Sequence, residues 1–120
     1  MPNYVDGFVI PIPKKNLARY RKLAGLAAKV WREHGAVDYV ECVGDDLDVK
    51  WGRAFPNLAR AKAGETVVFS WIVYKSKAHR NAVNKKVMND PRMAGMMEAS
   101  KDLFNPKVMA YGGFKVLLQA

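Results

Sequence analysis

An apolar-rich run from Tyr4 to Ile12 predicts a first β-strand, with Gly7 inside it and Pro11 and Pro13 closing it. Proline cannot donate a ladder hydrogen bond, so that end should lie at an edge or leave the sheet. The pattern then changes period. Leu17, Tyr20, Ala24, Ala27, Trp31 and His34 recur at helical spacing, with Leu23 and Val30 widening the stripe, which predicts a helix from Lys14 to His34. Gly35 supplies its left-handed stop. Alternation resumes from Ala36 to Gly44, where Val37, Tyr39, Glu41 and Val43 oppose Asp38, Val40 and Cys42. Asp45 to Gly64 is a long connection containing Trp51, Phe55 and Pro56, and that length implies a lid, a partner contact or an extra short element.

Glu65 to Lys75 is the third strand, with large apolar residues in both phases: Phe69, Trp71 and Val73 against Val68, Ile72 and Tyr74. Ser76 caps a second helix running to Asn89. Asp90-Pro91 then restarts a short helix with Met93, Met96 and Met97, and Met109 to Leu118 is the last strand, centred on Gly112-Gly113. The order βαββαβ predicts an α+β, ferredoxin-like fold, with a four-stranded antiparallel sheet and both helices on one face. A third strand apolar on both sides asks for cover on both faces. The expected cover is a second copy packed sheet against sheet, giving a dimeric α/β barrel.

A chain of 120 residues is sized for a single domain, 1–120. No apolar run approaches a membrane span, and Asp6 interrupts the N-terminal run too early for a signal peptide. The lone Cys42 forms no internal disulfide, which points to a cytoplasmic setting and, within a strand, to a buried inert thiol. The formal charge of +9 could attract nucleic acid, but the basic residues are spread along the first helix and through the second half of the chain.

Several segments together resemble a known family over nearly the full length. They are Tyr4-Val5-Asp6-Gly7-Phe8-Val9, Val30-Trp31, Glu33-His34-Gly35-Ala36, Tyr39-Val40-Glu41-Cys42-Val43-Gly44-Asp45-Asp46 and Phe69-Ser70-Trp71-Ile72-Val73-Tyr74-Lys75-Ser76. Ala78-His79-Arg80, Val87-Met88, Asp90-Pro91-Arg92 and Tyr111-Gly112-Gly113-Phe114 complete the set. The chain resembles the domain-of-unknown-function 1428 family, small uncharacterised bacterial proteins of the dimeric α/β-barrel superfamily. The resemblance implies a ferredoxin-like protomer and a homodimer, and no established activity. The wider superfamily includes cofactor-independent monooxygenases, haem-degrading enzymes, chlorite dismutase-type proteins and ligand binders without activity, so fold alone does not choose a chemistry.

Asp6 and Glu41 are the carboxylates of interest, since each sits in a strand among apolar neighbours. If they converge, one could be held protonated and act as acid or base; the alternative is pairing with a lysine or arginine across a dimer interface. His79, in the first turn of the second helix, could serve as a base, or simply pack there. Two histidines in the whole chain do not make a metal site, and Asp45-Asp46-Leu47-Asp48 lacks the remaining ligands of a calcium loop, so neither metal nor cofactor is expected. Tyr39, Trp71 and Tyr111 are the candidate lining of a pocket for a flat molecule, against the plainer reading of each as core. The expected function is binding, or oxidative transformation, of a small aromatic or amphipathic molecule by a homodimer; enzyme and binder both stay open. The alternatives are an RNA-binding module, whose third strand would expose aromatics, and a structural dimer without ligand.

Overall fold

The structure, a computed structural model, describes residues 3–120. Strand β1 (Tyr4–Pro13) leads through a 3-10 turn (Lys14–Asn16) into helix α1 (Leu17–Glu33), followed by β2 (Asp38–Val43). A short helix α2 (Phe55–Ala59) interrupts the long connection before β3 (Glu65–Tyr74). Helices α3 (Lys77–Met88) and α4 (Arg92–Ser100) precede the last strand, β4 (Ala110–Lys115). The sheet is antiparallel with order β2-β3-β1-β4, the ferredoxin-like arrangement.

The expected barrel is not formed. The sheet is open, with β2 and β4 as its two edges. Closure requires edge strands to hydrogen-bond to each other, and four strands with ordinary twist are too few to curl that far.

Local signals account for the elements. Gly35 stops α1 at φ 113°. Ser76 caps α3, its Oγ accepting the His79 N–H at 3.0 Å. Strand β3 pairs with β1 from Tyr4 to Pro13, whereas β4 pairs with β1 only from Tyr4 to Val9. The proline-bearing end of the otherwise central β1 is therefore a local edge. Strand β4 stops at Lys115 because that residue already faces Tyr4, the first residue of β1. Val116 adds one hydrogen bond to Asn3, and Leu117 and Leu118 lie exposed beyond it.

The two sheet faces differ. Tyr4, Ile10, Ile12, Val68, Ile72 and Tyr74 point inward under α1, α3 and α4 and are buried. Val5, Val9, Val40, Phe69, Trp71, Val73 and Phe114 point the other way, by strand alternation. Helix α2 reaches that outer face, where Phe55 meets the Phe69 ring edge-on at 5.7 Å. Cys42 shares this face on edge strand β2. It is exposed, not buried as expected, because β2 is an edge strand with no further strand beside it.

Candidate functional site

Glu41 and Asp6 both point inward, yet they do not meet. Across the sheet, Glu41, Ser70, Phe8 and Tyr111 form one row, and Tyr39, Ile72, Asp6 and Gly113 form the next. Strand β3 separates the two carboxylates, which puts them about 10 Å apart from strand spacing alone.

Asp6 is buried and faces Arg80 on α3, with Nε–Oδ1 at 3.8 Å. Arg80 also hydrogen-bonds the Tyr4 hydroxyl at 3.1 Å and lies over the Tyr4 ring, 5.1 Å from its centre. Beside them the Tyr74 hydroxyl donates to Asn84 Oδ1 at 3.1 Å, and the Trp31 indole N–H donates to the same oxygen. Burial, together with the Asp6 charge, holds the Tyr74 phenol well above its ordinary pKa. Arg80 of the same chain thus supplies a counter-charge for Asp6.

Glu41 is held differently. Its Oε1 accepts the Tyr20 hydroxyl at 2.8 Å and its Oε2 accepts the Tyr39 hydroxyl at 2.9 Å. Burial raises its pKa above the ordinary carboxylate value, against the opposing pull of the Tyr20, Tyr39 and Ser70 hydroxyls. Both phenols are pushed far above their ordinary range, first by burial and then by the neighbouring Glu41 charge. A carboxyl with raised proton affinity and no cation against it suits proton transfer or a strong hydrogen bond to a ligand.

This carboxyl lines a cleft of about 510 Å³ between α1 and β2. Ala24, Gly25 and Ala28 present small surfaces on the helix side, with Tyr39, Val43 and Val68 opposite. A Cβ at Gly25 would meet nothing within 4 Å. Small residues on one helix face thus leave the space that larger ones would fill.

The other expected site residues are dispersed. Tyr39 is in the cleft with Glu41. Trp71 lies on the outer face, with its ring edge-on to Phe69 at 5.8 Å. Tyr111 is on the inner side of the opposite edge, stacked on Phe8 at 6.0 Å and mostly exposed. His79 caps the β3–α3 junction: its Nδ1 accepts the Lys75 N–H at 3.0 Å, and its ring meets Tyr74 edge-on. His34 pairs with Asp90 at 2.8 Å, and Arg92 joins Asp90 to Glu33, tying the end of α1 to the start of α4. Among the described residues no cluster of His, Cys, Asp or Glu could hold a metal ion, and no helix is long and apolar enough to cross a membrane.

Sequence reasoning missed Tyr20, Arg21 and Gly25 as cleft residues. The available signal was Gly25 itself, since a mid-helix glycine costs about 1 kcal/mol against alanine and asks for a reason. Arg80 as the partner of Asp6 was also missed, because a contact between residues so far apart in the chain leaves no periodic trace.

Comparison with known proteins agrees with this architecture. The chain is 42% identical over 115 residues to the uncharacterised protein YbaA of Escherichia coli K12, covering 96% of this chain and 97% of that one. Among solved structures it is similar to SnoaB, a cofactor-independent oxygenase from Streptomyces nogalater, at TM-score 0.64 and 11% identity, covering 98% and 95% of the two chains. A dimeric ferredoxin-like protein from an uncultured marine organism matches at TM-score 0.62 and 11% identity over 100% of both chains. At such identities these structures share the fold alone. The family model for the protein of unknown function DUF1428 matches residues 3–105, and the chain belongs to that family.

Proposed function

We propose that this protein binds a small aromatic or amphipathic molecule in the cleft between α1 and β2, with Glu41 as its polar anchor. The observation that carries the reading is Glu41 itself: a carboxyl of raised proton affinity, held by neutral hydroxyls, in the wall of a largely apolar hollow. A cleft of that volume lies in the ordinary range for small-molecule sites. SnoaB is an oxygenase that works without a cofactor. A chain of the same fold that transformed its ligand would use Glu41 as the proton acceptor.

The test is native mass spectrometry of protein purified from its own host, parent beside Gly25→Leu. The leucine improves helix propensity, and its Cβ meets no protein atom within 4 Å, so the longer side chain can occupy the cleft. The parent should carry a reproducible small adduct that the variant lacks. An adduct surviving Gly25→Leu, or none on the parent, overturns the reading.

The same proposal includes a homodimer formed through the outer sheet face. Phe69, Trp71 and Phe114 leave a broad apolar surface there, with Phe69 42% and Phe114 63% exposed. The outward strand positions include Asp38 and Glu65 and no lysine or arginine. That charge pattern suits an apolar second copy better than a nucleic acid, whose phosphates need cations. Phe69→Asp should convert the dimer into a folded monomer in sedimentation experiments. A dimer unchanged by Phe69→Asp, or co-purified nucleic acid released by salt, speaks for the other outcome.

A further inference from the structure

The cleft that holds Glu41 carries one residue of each sign. Arg21, exposed on α1, lines its rim, and Glu41 lies in its wall. Among the described residues neither forms an ion pair, although both border the same hollow. The Tyr20, Tyr39 and Ser70 hydroxyls take three of the roughly four acceptor positions of the Glu41 carboxylate, which leaves one for a ligand. Most of the remaining lining is apolar, with Leu17, Ala24, Ala28, Val43 and Val68 beside the two tyrosines and bare backbone at Gly25.

We propose that the cleft selects molecules with two polar ends on a flat apolar body: an anionic group such as a carboxylate for Arg21, and a hydroxyl or N–H donor for Glu41. This rests on the cleft being the ligand site. The lining of α1 from Leu17 to Ala28 spans about 16 Å of helix, which gives room along the cleft for a one- or two-ring body. A polar body would lose its hydration without recovering hydrogen bonds from these walls. A ligand bearing only an anionic group places it well at the rim but brings nothing that Glu41 can accept. A ligand bearing only a donor satisfies Glu41 and forgoes Arg21. The chain's charge of +9 favours the approach of an anion over that of a cationic amine.

Three fluorescent probes separate these cases: a hydroxynaphthoate with its two groups on opposite rings, naphthol and naphthoate. Each is titrated against the parent, Arg21→Ala, Glu41→Gln and Gly25→Leu, with circular dichroism as the check on folding. The hydroxynaphthoate should bind the parent about tenfold or more tighter than either one-ended probe, one charge-assisted contact being worth roughly that factor. Arg21→Ala should bring it down to the naphthol affinity while leaving naphthol unchanged. Glu41→Gln should erase most of its advantage over naphthoate. Equal affinities for the three probes, or an Arg21→Ala variant that binds like the parent, overturn two-ended recognition while leaving the cleft as a site. Failure of every probe to bind, or binding untouched by Gly25→Leu, removes the cleft reading itself and this inference with it.

Discussion

Asp6 and Glu41 lie on the same face of the same sheet, in neighbouring rows, and meet opposite environments. Asp6 is under α3, buried, with the Arg80 guanidinium beside it. Glu41 is on the edge strand, in a cleft, with only neutral hydroxyls as partners. A buried carboxylate beside a cation is committed to the fold, because removing either partner strands a charge in low dielectric. One held by phenols keeps its proton equilibrium adjustable and its remaining lone pairs free. The difference originates in the strand order, which puts β1 at the centre under α3 and β2 at the rim.

The comparison can be broken most directly by neutralising each group. Asp6→Asn leaves Arg80 without its counter-charge and should cost about 3 kcal/mol of stability in urea unfolding, the usual loss when one member of a buried pair is removed. Glu41→Gln keeps an acceptor for the tyrosines and should change stability by less than about 1 kcal/mol at neutral pH. Equal losses would erase the distinction between a structural and an available carboxylate.

A smaller effect sharpens the Asp6 side. Gly113 lies opposite Asp6 on β4, and a Cβ there would run into the Tyr4 hydroxyl and come within 2.9 Å of Arg80 Nη2. Gly113→Ala should therefore destabilise the protein by about 1–2 kcal/mol through displacement of the Tyr4–Arg80 pair. An alanine tolerated without loss would mean that this pair is loosely held.

The smallest effect concerns pH on the Glu41 side. Burial raises the folded-state pKa of Glu41 above its unfolded value. Its contribution is therefore most favourable below the unfolded pKa and is lost as pH rises through the folded one. Glu41→Gln lacks that dependence, so the stability difference should move in the variant's favour as pH rises from about 4 toward neutrality. Parallel stability curves for parent and variant would show that Glu41 titrates as though exposed.

Much of this was legible in the residues. The stripe from Leu17 to Trp31 placed α1, Gly35 and Ser76 marked helix ends, and the doubly apolar β3 announced two faces in need of cover. The extra short element allowed for in the long connection is α2, begun at Phe55-Pro56. The barrel was not legible. Apolar phases on both sides of a strand show that each face seeks an apolar neighbour, without saying that the sheet closes.

The sequence by itself determined the elements, their order and the phase shared by Tyr39 and Glu41, because these depend on period and on residues close in the chain; which phase faces the core was not among them. Only the tertiary structure decided that Arg80 faces Asp6, that Tyr20 reaches Glu41 from α1, and that Trp71, Tyr111 and His79 lie apart from the cleft. Those outcomes depend on how α1 and α3 cross the sheet and on which strand ends at the edge. Both are set by packing summed over the whole core, and no local pattern encodes that sum.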